Sequence, residues 1–327
     1  MDGALRPLLL RPVFLPKVWG VASLPPGLAE LFAEAPTGVG EIWLASARHH
    51  VTTVIGGPFE GLGLDEVASR RPAELLGQGA TGHFPLLAKI LCVGQWLSVQ
   101  VHPDDETARR LEGEPWGKSE VWRVLEAAPE AQIIHGLGHP AGPDELRRAL
   151  AQGTLAGLLA RVPAATGQTF AIPAGTIHAT GPGLTIFEVQ QASDVTYRFY
   201  DWDRPGDDGR PRALHVDKAL EALRPSGPGR PEPVAQVVER PGCVSEMLAR
   251  MPAFSLWRRR VAQLFIPPAE GRPRVWFVLA GRGHLEADGP PRPVEPGQCW
   301  VLPALGPRPV LRAMAENELI ILESAAH

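Results

Sequence analysis

Two histidines, one glutamate and one glutamine in this chain have the types and settings of ligands to a single metal ion. The stretch Leu97-Ser-Val-Gln-Val-His alternates strictly. In an extended strand Leu97, Val99 and Val101 therefore face one way, and Ser98, Gln100 and His102 the other. A half-buried strand ordinarily turns charged or variable polar groups to water. This polar face instead carries directional, weakly solvated groups, and Gln100 and His102, two apart, can converge on one ion. Glu120 opens an apolar strand running to Leu125 and can supply a carboxylate oxygen. His178 follows the turn Pro173-Ala-Gly-Thr-Ile and is flanked by small residues, which leaves room beside the imidazole. Each residue alone has an ordinary structural use, a histidine as a hydrogen-bonder and a glutamate as a solvated charge. Together they form a neutral N and O donor set without thiolate, which suits Zn2+ in an open catalytic site completed by water or substrate. Mn2+ or Fe2+ would accept the same set, and zinc is the expected ion.

Further polar groups stand where solvation is expensive. In Leu184-Thr-Ile-Phe-Glu-Val-Gln-Gln, Glu188 shares a face with Ile186 and Gln190, so its charge needs a partner or a wet cavity. In Asp194-Val-Thr-Tyr-Arg-Phe-Tyr-Asp-Trp-Asp-Arg, Arg198 and Arg204 have the same parity and can line one wall as anion binders. Structural ion pairing is the plain alternative for both. Only Lys17, Lys89, Lys118 and Lys218 are lysines among 32 basic residues. In so arginine-rich a chain, a retained lysine marks a place for a compact, titratable ammonium.

The elements that must position these residues are short strands and tight turns. Glycine and proline number 35 each in 327 residues. Gly-Gln-Thr-Phe-Ala-Ile-Pro-Ala at 167–174 returns as Gly-Gln-Cys-Trp-Val-Leu-Pro-Ala at 297–304, each preceded by an apolar strand. This repeat predicts two duplicated small β-barrels. A shift of 130 residues sets Arg308 opposite His178, so the second copy keeps the scaffold without that donor. The Pro- and Gly-rich segment 224–234 reads as a linker. It divides a catalytic domain, 1–230, from a smaller one, 231–327. Asp144 can cap a helix that continues toward Leu159, giving a small helical insertion near 143–160.

Bulk properties exclude several function classes. A net charge of -4 gives no reason to expect nucleic acid or an anionic membrane as partner. No apolar run approaches the ~18 residues of a membrane span, and Leu8-Leu9-Leu10 is too short and proline-broken for a signal core. Cys92, Cys243 and Cys299 are too scattered for a disulfide framework or a thiolate zinc site, which fits a reducing cytoplasm.

Gln-Val-His-Pro (100–103), Gly-Lys-Ser-Glu (117–120), Pro-Ala-Gly-Thr-Ile-His-Ala (173–179) and the segment from Glu188 to Arg198 resemble the motifs of type I mannose-6-phosphate isomerases, in the order and spacing of the short bacterial branch. Phe84–Leu91 and Glu41–Ser46 extend the likeness, which covers 1–210 well and the last hundred residues in outline. The resemblance implies a mainly β fold of two cupin-type, jelly-roll like barrels, with zinc on Gln100, His102, Glu120 and His178. It makes Arg198 an active-site residue, sets Lys89 and Ser98 at the substrate phosphate, and puts Lys118 and Glu188 near the sugar. The implied reaction interconverts mannose 6-phosphate and fructose 6-phosphate by metal-assisted proton transfer through an enediol. Glu188, Lys118 and a metal-bound hydroxide are the candidate proton carriers. A small phosphosugar is the expected partner of a monomer or weak homo-oligomer. The alternatives are another metal-dependent cupin enzyme, such as an epimerase or oxygenase, and a non-catalytic sugar-binding cupin. Ser119 replaces the usual Thr or Pro of its motif. His49, His50, His135 and His139 match no ligand of the family and read as surface or loop residues.

Overall fold

Frequent turn residues between apolar runs fold this chain into antiparallel strands that form facing sheets. The computed structural model describes residues 4–80, 82–206, 209–314 and 318–327. One sheet has six strands, in the order Thr169–Ile172, Glu120–Ala127, Leu184–Gln191, Leu86–Val93, Val39–Ala45 and Val13–Pro16. Facing it is a five-stranded sheet ordered Tyr197–Tyr200, Val99–Val101, His178–Thr180, Gln132–Leu137 and Leu159–Pro163. Leu91, Trp122, Phe170 and Ile186 from the first meet Ile133 and Val162 from the second in one core. This is the first barrel, and all the expected metal ligands lie on its strands or at their ends.

A second pair of sheets follows the same plan. Eight strands, including Cys243–Arg250, Phe254–Val261, Arg274–Ala280, Cys299–Leu302 and Leu319–Ala326, face four short ones around Trp276, Leu285, Trp300 and Leu311. The repeat is visible bond by bond. Gly167 and Gly297 both have φ of 86°, a left-handed conformation that glycine adopts without strain. Gly167 N donates to Val124 O and Val124 N to Gln168 O, as Gly297 N does to Val278 O and Val278 N to Gln298 O. The barrels pack through the outer faces of their large sheets, where Phe187 stacks on Phe277 with centroids 5.6 Å apart.

The strand pairing crosses the expected 230/231 boundary. Leu8–Arg11 pairs with Cys299–Leu302 on one side and Thr53–Ile55 on the other, so two early strands complete the large sheet of the C-terminal barrel. Residues 223–235 are irregular, as their prolines and glycines dictate, but they are tied down: Leu137 N donates to Ser226 O and Gly229 N to His135 O. The expected helical insertion is shorter than its pattern. A helix spans Pro143–Ala151, with Gly142 at its N-cap and Asp144 inside the first turn, where the helix dipole favours an acid. Only a 3-10 turn follows at Leu155–Gly157, and Leu159 begins a strand, because Gly153 in the left-handed region stops the helix. No helix among the described residues is long and apolar enough to cross a membrane.

Candidate metal centre

The strand Val99–Val101 buries its two valines and carries His102 on its end. His102 Nδ1 lies 3.0 Å from Val195 O, and His178 Nδ1 lies 2.8 Å from Thr176 O. A ring nitrogen facing a carbonyl must carry the proton and donate it, which leaves the Nε2 lone pair of each imidazole free. Both Nε2 atoms turn to Glu120, 3.6 Å from Oε2 for His102 and 3.3 Å from Oε1 for His178. The three donor atoms lie within 4.8 Å of one another. Both Glu120 oxygens and His178 Nε2 are buried without a hydrogen-bond partner. A buried carboxylate left so is costly, and a cation answers the cost. The two measured separations are those of ligands each ~2.0–2.2 Å from one ion.

The charges are set accordingly. Burial acts to raise the Glu120 pKa, but Lys118 and the two imidazoles outweigh it and hold the carboxyl well below its usual range. Burial, then the Lys118 ammonium, holds His102 well below the usual histidine range, and hence neutral. Lys118 Nζ lies 3.1 Å from His102 Nε2 and 3.2 Å from Glu120 Oε2, so this lysine touches the donor set directly.

Strand register brings two rows of residues to the site. Across the five-stranded sheet, Arg198, Gln100, His178 and His135 stand side by side, and directly opposed residues share a face. Gln100 is thus the cross-strand neighbour of His178, and Ser98, of the same parity, is buried just ahead of its strand. Arg198 donates through Nη1 to Ala213 O at 2.9 Å, and its Nε is buried with no partner. His135 is not a surface or loop residue. It is buried on the strand Gln132–Leu137, where Gly229 covers its ring closely enough that a Cβ there would collide with it.

In the six-stranded sheet the row is Trp43, Lys89, Glu188, Trp122 and Phe170. Trp122 Nε1 donates to Glu188 Oε2 at 3.0 Å, and Lys89 Nζ sits 3.2 Å from Glu188 Oε1. Lys89 is also 4.0 Å from Glu41 Oε1, and Glu41 accepts from Trp43 Nε1 at 2.7 Å. Burial would lower the Lys89 pKa, but Glu188 and Glu41 more than reverse this, and it rises. Burial, reinforced by the Glu120 charge, raises Glu188 despite Lys89. Lys89 is held as an ammonium, and Glu188 takes up a proton more readily than an ordinary carboxylate.

Two residues here escaped the sequence reading. Glu41 lies in a strand buried on both faces, so alternation could not show which way it points. Gln190 stands opposite Glu120 with Nε2 fixed on Gln191 O and Ser193 O, and its Oε1 is buried without a partner. Arg204 behaves differently from its expectation. The strand ends at Tyr200 and the chain turns through Trp202 and Asp203 at positive φ, so shared parity with Arg198 does not carry over. The Nε and Nη2 of Arg204 bond Asp201, and its Nη1 bonds Trp96 O.

Residues 8–117 match the family model described as phosphomannose isomerase type I, catalytic domain. A mannose-6-phosphate isomerase of Streptococcus mutans is 36% identical over 301 residues, spanning 91% of this chain and 92% of the relative. The chain belongs to the type I mannose-6-phosphate isomerase family. The crystal structure of the mannose 6-phosphate isomerase from Bacillus subtilis superposes with a TM-score of 0.87 at 30% identity, covering 98% of this chain and 99% of that one. A phosphomannose isomerase from Salmonella typhimurium, at 15% identity and a TM-score of 0.73, shares the fold. Membership accounts for the mainly β, cupin-like architecture and for the His102, Glu120 and His178 metal site.

Proposed function

We propose that this protein interconverts mannose 6-phosphate and fructose 6-phosphate, moving a proton between C2 and C1 through an enediol. The observation that carries this reading is the buried Glu120 carboxylate, whose oxygens lack a hydrogen bond, facing the Nε2 atoms of His102 and His178 in a chain of this family. Zn2+ is the ion assigned to His102, Glu120 and His178, with Gln100 as the fourth ligand. Bound there, it supplies Lewis-acid stabilisation to oxygens that become negative.

The protein's own groups do the rest. Glu188, its pKa raised, takes the proton from one carbon and returns it to the other. Lys118 donates a hydrogen bond to the substrate oxygen beside the donor set. The unspent Nε of Arg198 offers a further donor to charge that develops in the transition state. Lys89 and Ser98 anchor the phosphate, spending remote binding energy on orientation. A phosphate that draws Lys89 away from Glu188 also makes that carboxylate more basic. Arg204, its donors committed to Asp201 and Trp96, steadies the wall that carries Arg198.

Catalysis belongs to residues 1–230, and 231–327 supply most of a second barrel in which the described residues form no metal-ligating cluster. Three free, buried cysteines suit a cytoplasmic setting, and a monomer or weak homo-oligomer is the assembly we assign. The test is to incubate the protein with fructose 6-phosphate and assay mannose 6-phosphate, before and after chelation. Turnover is expected to vanish with the metal and return with Zn2+. Full activity after complete metal removal, or an unimpaired His178→Ala variant, would sink the metal mechanism. Oxygen consumption with bound iron would favour an oxygenase of the same fold instead.

A further inference from the structure

Strand register extends the internal repeat from the turns to the mouths of the barrels. In the first barrel Glu120 stands opposite Ile172 and Gln190, and Trp122 opposite Phe170 and Glu188. In the second, Arg274 stands opposite Leu302 and Ala325, and Trp276 opposite Trp300 and Glu323. The 130-residue shift that superposes the turns carries Ile172 to Leu302 and Phe170 to Trp300. Trp276 Nε1 donates to Glu323 Oε2 at 2.7 Å, as Trp122 Nε1 donates to Glu188 Oε2 at 3.0 Å. The second barrel thus keeps the tryptophan–carboxylate pair and sets an arginine where the first has its metal-facing glutamate. A position built to hold a cation in one barrel is itself a cation in the other.

Arg274 has company. Its Nη1 donates to Glu323 Oε1 at 3.0 Å, and Arg259 Nη2 donates to the same oxygen. Two buried guanidiniums therefore share one buried carboxylate. The remaining arm of Arg274 reaches Pro268 O at 3.2 Å and the exposed Glu270 at 2.7 Å. Arg259 lies over the rings of Trp257 and Phe265, at 4.1 and 4.9 Å, and its Nε is buried with no partner. Both arginines line a cavity of about 800 Å³, which Arg240, Arg250 and Arg272 also border, with Glu270 the acid among its lining residues. The buried Arg259 Nε without an acceptor, beside two guanidiniums that share one carboxylate, calls for an anion, and the planar guanidinium matches phosphate oxygens two at a time.

We propose that the mouth of the C-terminal barrel binds a small molecule through a phosphate group, held by Arg259 and Arg274, with Trp257 against the rest of the ligand. The cavity is large enough for a sugar phosphate. The pocket does not repeat the metal site of the first barrel, because among the described residues the one cluster of metal-ligating side chains is His102, Glu120 and His178.

The test titrates the metal-loaded protein with inorganic phosphate and, separately, with glycerol 3-phosphate. The signal is Trp257 fluorescence, taken as the difference between the protein and its Trp257→Phe variant. A saturable change is expected, weakened about tenfold in Arg259→Lys, which keeps the charge but loses the paired donors. Arg272→Ala, an exposed change that leaves the core intact, should weaken it less, with turnover unchanged. A response to both probes, or to the ester alone, supports the proposal, whereas a response to inorganic phosphate alone shows a free-anion site and overturns it. No saturable change with either probe at millimolar concentration overturns the proposal. So does a change equally strong in Arg259→Lys and Arg272→Ala, which would place the phosphate in the first barrel.

Discussion

Glu188 is the residue on which the proposed proton transfer turns, and its surroundings give the proposal a direction that can be tested. Burial and the neighbouring Glu120 charge raise its pKa, while Lys89 and the Trp122 indole N–H favour the charged form. As pH falls through that raised pKa the base gains a proton, so turnover should fall at a higher pH than an ordinary carboxylate would give. Replacing Trp122 by Phe removes a donor to the charged form. The pKa then rises further, and the acid limb of kcat against pH is expected to move to higher pH with the metal content unchanged. Glu188→Gln should lower kcat by roughly 10²–10⁴-fold, the usual worth of a general base, and abolish that limb. An acid limb that persists in Glu188→Gln would assign the proton to Lys118 or to another group. The metal donors are a separate matter at the same scale. His178→Ala should reduce bound metal, measured directly by elemental analysis, whether or not any substrate is present.

At the scale of elements, the duplicated turn makes a paired prediction. Gly167 and Gly297 hold the same left-handed φ of 86° in equivalent turns. Alanine at either should cost ~1 kcal/mol through backbone strain, with the two losses adding in the double variant because the sites lie in different barrels. Thermal or denaturant unfolding of the three variants checks this. The repeat was legible in the sequence because it lies in local types, a turn glycine and a strand ending at Pro-Ala. The strict alternation of 97–102 was legible for the same reason. Features set by distant register were not. Nothing near Glu41 announces that Lys89 lies within reach, and His135 reads as an isolated histidine until strand pairing sets it beside His178. Arg204 shows the converse: parity predicts a face only while the strand lasts, and this one stops at Tyr200.

For the whole molecule, a barrel apiece does not mean that each half of the chain folds alone. Residues 231–327 supply most strands of the second barrel, but the strand Leu8–Arg11 occupies a place in its large sheet between Cys299–Leu302 and Thr53–Ile55. Cutting at 230 would leave that strand with its Cys299–Leu302 side unpaired, an open edge that invites aggregation. It would also uncover the outer face of the six-stranded sheet, where Phe187, Ile90 and Val189 now pack in one core with Phe277, Val275 and Leu322. Such an apolar face would far exceed what a soluble monomer ordinarily exposes. A 1–230 fragment is therefore expected to be insoluble or molten although it holds all four proposed metal ligands, and co-expression with 231–327 should restore soluble protein and turnover. Within the intact chain, Phe277→Ala should cost ~3–5 kcal/mol and, because the core is shared, lower the midpoint of a single cooperative transition followed by both near-UV and far-UV circular dichroism. A well-folded, active 1–230 fragment, or two separated transitions in the parent, would show that the barrels are independent and that the N-terminal strand only decorates the second.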